Sequence, residues 1–184
     1  MLPIPLSVLQ RASGLDEDSR HILHGLCTGV EIAQIQDAVR LSRRQFNQRV
    51  DAIVEATGAN NRAHAAALAP ILRIVSPKAV TSSLTRAPAD LTEKRLSMVR
   101  LLVGGATNPV IATELDINVT SVSKPLGDIH EHLGTLSREH LAAAAVVLKL
   151  VPLNSVLPTL PERLWTGTDA GQPIDHHPPV SATT

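Results

Sequence analysis

An all-α fold made of two tandem four-helix units is the architecture this chain predicts, and three observations predict it. The segment beginning at Leu15 lies on the segment beginning at Leu91 without a gap over 55 residues, at a constant offset of 76. Within each copy, apolar residues recur three and four positions apart, the spacing of one helix face. Glycines and short polar residues fall where helices start and stop. Matched pairs include Leu15 with Leu91, Glu17 with Glu93, Leu26 with Leu102, Gly29 with Gly105, Ile35 with Ile111, Ile53 with Ile129, Gly58 with Gly134, Arg62 with Arg138 and His64 with His140. What repeats is therefore a set of turn glycines and core aliphatics. The chain divides into an extension (1–14), unit one (15–69), a linker (70–90), unit two (91–150) and a proline-rich tail (151–184).

The first helix of unit one is expected from Asp16 to Cys27, with Ile22, Leu23 and Leu26 on one stripe and Gly29 beyond its end as a left-handed stop. Its counterpart starts at the N-cap Thr92 and stops at Gly105. A second helix carries Ile35 and Val39 in unit one, Ile111 and Leu115 in unit two. Thr107 is a candidate cap for the latter, and Pro109 sits in its first turn, where the missing N–H does little harm. The third helix opens at Ser42, in a Ser42-Arg43-Arg44-Gln45 capping box, and closes at Gly58. Asn61 and Ser137 then cap a fourth, alanine-rich helix, Arg62 to Ala69 in one unit and Arg138 to Leu150 in the other. The linker is expected mainly as a connector, with a short helix around Pro77 to Leu84. Six prolines from Pro152 onward predict a disordered tail with at most a docking segment at Leu160 to Trp165.

Composition narrows the function. Apolar residues make up 43% and charged residues 18%, a globular balance, and no apolar run is long enough to span a bilayer. The N-terminal MLPIPLSVLQR has no basic start and carries Pro3 and Pro5, so it does not read as a secretory signal, and a cytoplasmic, nucleoid-associated protein is expected. Cys27 is the only cysteine, which excludes an internal disulfide, and its place on an apolar stripe predicts packing. With no Tyr, one Phe and one Trp, the chain lacks the aromatic platforms that stack single-stranded nucleic acid. No phosphate loop, glycine-flanked nucleophile or histidine–carboxylate cluster appears, so no enzyme, cofactor, metal or small-molecule substrate is expected. His64 and His140, at equivalent places, are expected to be paired surface histidines. The formal charge is zero, so any contact with duplex DNA has to rest on a local basic face.

Such a face exists in the third helix of unit one. Phe46, Val50, Ile53 and Thr57 share one side of a helical wheel, which turns Arg44, Asn47, Gln48 and Asp51 outward. Arg40, Arg43, Arg44 and Arg49 bring four positive charges into ten residues without an acid. Arginine grips guanine O6 and N7, and Asn or Gln grips adenine N6 and N7, each good pair giving roughly 1–3 kcal/mol of discrimination. The expected DNA contacts are thus Arg44, Asn47 and Gln48 on base edges, and Arg40, Arg43 and Arg49 on phosphates, with Ser42 and Gln45 at the helix mouth. Unit two keeps the stripe Val122, Leu126, Ile129 and Leu133, but it turns out Thr120, Ser123, Lys124, Gly127, Asp128 and Glu131. Pro125 falls in the second turn and is expected to kink the helix or delay its start to Ser123. Thr120, Ser121, Ser123 and Lys124 are the candidate DNA contacts there. Unit two is either a weak second reader or a repurposed packing and partner module.

Helix, tight turn, helix, with one helix before and one after, is the layout of a helix-turn-helix DNA-binding domain. The stretch LTEKRLSMVRLLVGGATNPVIATELDINVTSVSKPLGDIHEHLGTLSREHLAAAAV resembles the LuxR-type (GerE-type) domain in its opening Leu-Thr, the Gly closing helix one, the Ile-Ala of helix two, the Val of helix three and the Leu-Gly that closes it. Unit one resembles a more diverged copy. The resemblance implies two winged-helix-like domains of the LuxR C-terminal type, and a bacterial transcriptional regulator whose partners are double-stranded DNA and a second copy of the chain or another protein. It also implies that the fourth helix forms the dimer contact, for which Ala63, Ala65, Ala66, Ala67 and Ala69 would permit close approach. Only about 14 residues precede unit one, too few for the receiver or sensing domain common in that family. The competing reading is an interaction protein that binds a regulator or transcription component through unit two instead of DNA. Thirteen arginines against four lysines fit a GC-rich bacterial genome.

Overall fold

The structure, a computed structural model, describes residues 6–85 and 91–156, and all regular structure among them is helical. Helix α1 (Leu6–Ser13) leads into α2 (Glu17–Thr28), α3 (Ile32–Ala38), α4 (Arg43–Thr57), α5 (Arg62–Ile71) and α6 (Pro77–Ser83). Helices α7 (Glu93–Val103), α8 (Asn108–Glu114), α9 (Thr120–Leu133) and α10 (Arg138–Val147) follow, and a 3-10 turn, Leu153–Ser155, lies near the end of the described chain. The tail beyond Val156, including the segment at Leu160 to Trp165, lies outside the described residues.

The helix ends follow from local chemistry. Asp16 accepts from the Ser19 N–H to cap α2, and Gly29 ends it at φ 77°. Ser42 and Gln45 close both halves of the capping box on α4, and Gly58 ends it at φ 68°. Asn61 accepts from His64 N and Ser137 from His140 N, so α5 and α10 start alike. Thr92 and Thr107 stand at the N-caps of α7 and α8 without a capping bond from their side chains. Helix α7 ends one residue earlier than expected, at Gly104, and Gly105 takes φ 89° in the turn.

Two departures concern proline and the connector. Ser123 is not a cap: α9 opens at Thr120, and Pro125 sits inside it. Asn118 Oδ1 accepts from both N and Oγ1 of Thr120, and Ser121 N and Val122 N each bond back three residues, so a tight first turn replaces a late start. The bond Pro125 forgoes, to the carbonyl of Ser121, falls at an exposed residue, where water can take its place. In the connector, Leu72, Val75 and Val80 are buried and α6 packs against α2 and α10, so these three side chains anchor the segment to the core.

Backbone conformation repeats with the sequence. Among the described residues every positive φ falls in a pair at the offset of 76: Gly29 with Gly105, Gly58 with Gly134, Arg40 with Asp116, and Arg73 with Lys149. The last pair lies beyond the fourth helices, and buried Val75 and Val80 match buried Val151 and Val156. The repeat therefore runs past the expected unit ends, to Val80 and Val156.

Helices α5 and α10 pack along each other more extensively than any other pair. Ala63 and Ala65 to Ala69 of α5 are buried, as are Leu141 to Ala145 of α10. Side chains this small bring two helix backbones close, and they spend little side-chain entropy on being ordered. Around this pair two apolar clusters form, and each draws on both units. One joins Ala67 and Leu68 to Met98, Leu102, Ile111, Ile129 and Leu141; the other joins Ala143 and Ala144 to Ile22, Leu26, Phe46, Val50 and Ile53. The surface that the resemblance implies for dimer contact is thus covered within one chain.

The contacts across this junction are reciprocal. A Cβ on Gly29 would stand 2.4 Å from Nδ1 of His140, and one on Gly105 would stand 3.2 Å from Cβ of His64. Each glycine turn of one unit seats on the histidine of the other. Both imidazoles are buried, contrary to their expected surface position, and each is fully used. His64 Nδ1 accepts from Asn60 N at 3.1 Å and His140 Nδ1 from Leu136 N at 3.2 Å, which places the proton on Nε2 in both. His64 Nε2 then donates to the Val156 carbonyl at 2.7 Å, and His140 Nε2 to Ser83 Oγ at 2.9 Å, which itself donates to the Val80 carbonyl. Burial pushes both histidines down, His140 to about 4 with help from the charge of His130.

Candidate nucleic-acid interface

Helix α4 is held by its apolar stripe. Phe46, Val50, Ile53 and Thr57 are buried against the core, and the Thr57 hydroxyl donates to the Ile53 carbonyl at 2.8 Å. With that side fixed, the 3.6-residue period leaves the opposite side to solvent. Arg43, Arg44, Asn47 and Gln48 are exposed there. Arg44 and Gln48 stand one turn apart, as do Arg43 and Asn47, so the four form one patch on the first two turns.

The turn into α4 extends that patch. Between the end of α3 and the start of α4 the chain reverses through Val39 to Ser42, with Arg40 in a left-handed conformation at φ 52°. Leu41 N returns to the Gln36 carbonyl at 3.1 Å, which closes the turn without a glycine. Arg40 is exposed in consequence and stands beside the mouth of α4. No carboxylate among the described residues pairs with Arg40, Arg43 or Arg44.

Three of the expected contacts carry structural duties. Ser42 and Gln45 are exposed, but the Ser42 hydroxyl and the Gln45 amide oxygen are spent on the cap: Gln45 Oε1 accepts from Ser42 N at 3.0 Å and from Ser42 Oγ at 2.7 Å. Arg49 is half-buried and ion-paired with Asp16, with Asp18 at 4.0 Å. Hydrogen bonds from Ser19 hold the Asp16 carboxyl below its ordinary value, with Arg49 adding to the effect. Arg49 thus ties α4 to the start of α2. Neither partner is close to the other in sequence, and the helical wheel gave no sign of the pair. Arg62, also not foreseen, lines a recess with Asn47 and Asp51 and pairs across the junction with Glu139 at 3.4 Å.

In unit two, α9 presents the same frame with other chemistry. Val122, Leu126, Ile129 and Leu133 are buried, and Thr120, Ser121, Ser123 and Lys124 are exposed. Position by position at the repeat offset, Arg40 becomes Asp116, Arg43 becomes Val119, Arg44 becomes Thr120, Asn47 becomes Ser123, Gln48 becomes Lys124 and Arg49 becomes Pro125. Asp128 is paired with Arg95 at 2.8 Å. One cation remains where the first copy has four.

Other candidate chemistry is sparse. Cys27 is buried, its thiol lies 3.5 Å from the Ala66 carbonyl, and burial raises it far above its ordinary range, which disfavours the thiolate. Among the described residues no three His, Cys, Asp or Glu side chains gather to hold a metal ion, and no helix is long and apolar enough to cross a membrane.

Comparison with known proteins finds no matching family model, and no curated protein or solved structure is significantly similar to the chain.

Proposed function

We propose that the protein is a sequence-specific, double-stranded DNA-binding transcriptional regulator, built from two fused helix-turn-helix units and reading the major groove mainly through α4. The observation that carries this reading is the patch of Arg40, Arg43, Arg44, Asn47 and Gln48, exposed on a firmly capped helix directly after a tight turn. A helix fits the major groove of B-DNA, and residues near its N-terminus are the ones that meet base edges. Arg44, Asn47 and Gln48 carry the donors that distinguish bases; Arg40 and Arg43 carry charge to the flanking phosphates. The neutral chain supplies no global attraction, so this patch supplies the electrostatic part of binding. In this reading the protein works by binding, not catalysis, in the cytoplasm at the nucleoid.

The test is a fluorescence-anisotropy titration of duplexes selected from a random pool, at two salt concentrations, with Arg43→Ala and Gln48→Ala alongside. Expected are affinity that falls steeply with salt, a salt slope smaller by about 0.9 for Arg43→Ala, and relaxed base preference for Gln48→Ala. Binding indifferent to salt and to both changes overturns the proposal. It would favour docking of a protein partner on unit two, which changes at Asp128 or Glu131 should then weaken.

A further inference from the structure

We infer that one chain recognises one asymmetric DNA site: sequence is read only by Arg44, Asn47 and Gln48 of α4, and α9 adds contacts to the phosphate backbone alone. This rests on the DNA-binding reading above and specifies its target.

A symmetric dimer presents the same surface twice, so its target repeats the same half-site as a palindrome. Here the reciprocal contacts of such an assembly lie within a single polypeptide. Gly29 seats on His140 and Gly105 on His64, His64 bonds Val156 and His140 bonds Ser83, and the alanines of α5 are buried against α10. No second chain is needed to complete the junction, and the alanine faces that would receive one are covered.

The two exposed helix faces, however, are not equal. At the positions where α4 carries Arg43, Arg44, Asn47 and Gln48, the second copy carries Val119, Thr120, Ser123 and Lys124. Arginine's planar fork grips guanine and a side-chain amide grips adenine, each through two bonds in fixed geometry; this surface has neither, and its lysine is a point charge on a flexible stem, suited to a phosphate. Hydroxyls and one lysine bond phosphate oxygens readily, without telling bases apart. Pro125 takes the place of Arg49 and brings no donor. The pairing frame is two-fold while its chemistry is one-sided, so the target has one informative half and one indifferent half.

The experiment selects duplexes with the full chain, reads the symmetry of the enriched motif, and measures the mass of the complex on the best duplex by native mass spectrometry. A motif without dyad symmetry, bound by one chain, is the expected result. Lys124→Ala should then weaken binding less than about threefold and leave the preferred bases unchanged, while Asn47→Ala changes them. A palindromic motif, two chains per duplex, or a second informative half altered by Lys124→Ala overturns the inference and leaves the DNA-binding reading standing. No enrichment of any motif removes that reading, and the inference with it.

Discussion

Helices α4 and α9 occupy matching places in the two copies and keep matching cores, yet they face solvent with different chemistry. Phe46, Val50 and Ile53 correspond to Val122, Leu126 and Ile129, all buried. Burial at these positions fixes how each helix sits, since a well-packed interior tolerates little change of shape. The outward positions are under no such constraint: α4 carries an arginine and amide face there, and α9 a hydroxyl face with one lysine. Core residues thus record the shared architecture, and the surface residues are where the two copies differ. The comparison also holds at the junction, where the same glycine and histidine serve both units but in unequal fit.

That inequality gives the largest expected effect. Gly29 and Gly105 both sit at positive φ, where a Cβ costs roughly 1–2 kcal/mol. Gly29→Ala also drives a methyl group to 2.4 Å from His140 Nδ1, an atom held by the Leu136 N–H and buried on all sides. Overpacking of this kind adds about 1–3 kcal/mol, for a loss of about 3 kcal/mol or more at Gly29. Gly105→Ala meets its nearest atom at 3.0 Å and should lose less. Thermal or urea denaturation of the two variants measures the difference. Equal losses would break the picture of unequal seating.

Acid probes the same junction. His140 is held neutral down to about pH 4, and burial lowers His64 as well. The unfolded chain takes up these protons near pH 6.5 and the folded chain does not, so stability is intact above about 6.5 and falls as the pH drops toward 4. For His140 alone the loss over that window is about 3 kcal/mol, at 1.36 kcal/mol per pKa unit. His140→Gln should flatten the acid limb of a stability-versus-pH curve more than His64→Gln. The reason is that His130 opposes charge on His140, whereas the Val156 carbonyl favours charge on His64. An acid limb unchanged by His140→Gln would mean that carboxylates, not this ring, set it.

Arg44→Ala tests the proposed reading face directly. Loss of one bidentate base contact is worth roughly 1–3 kcal/mol, or about 5- to 150-fold in affinity for the selected duplex. The matching change in the second copy, Thr120→Ala, should alter affinity by less than about twofold. If the two changes proved equal, the division of labour between the copies would be lost, while the fold would stand.

Much of this was legible in the sequence, and the illegible part has a common cause. Helix stripes, the Ser42–Gln45 box and the glycine stops are encoded within a few residues, so periodicity and capping chemistry reveal them. The exposure of Arg43, Arg44, Asn47 and Gln48 follows from the same stripe. What pattern reading missed acts across long stretches of chain. His64 and His140 are polar residues in alanine-rich helices, where helix periodicity alone does not announce burial, and the glycines that cover them belong to the other copy. One signal was available: glycine and histidine recur at the same offset in both copies. Prolines around residues 70–77 and 152 likewise masked the continued match of Val75 with Val151 and Val80 with Val156.

Arg49 shows the same limit at the site itself, and its replacement is the smallest and sharpest test. Counted with its neighbours it looks like a fourth phosphate contact; in the fold it is half-buried and bound to Asp16, the residue that caps α2. A partly exposed ion pair contributes roughly 0.2–1 kcal/mol, so Arg49→Ala should cost that much stability. Asp16→Ala should cost more, because it removes a helix cap worth typically about 1 kcal/mol as well as the pair. On DNA the two roles diverge. A phosphate contact at Arg49 would lower the salt slope by about 0.9 when removed, as at Arg43. A tie between α4 and α2 leaves the slope unchanged and weakens binding only as far as α4 shifts. An unchanged slope in Arg49→Ala, beside a reduced one in Arg43→Ala, would confine the phosphate contacts of unit one to its exposed patch. It would also bring unit one closer to unit two than its arginine count suggests, since the position that holds Pro125 in the second copy would then carry no phosphate contact in the first.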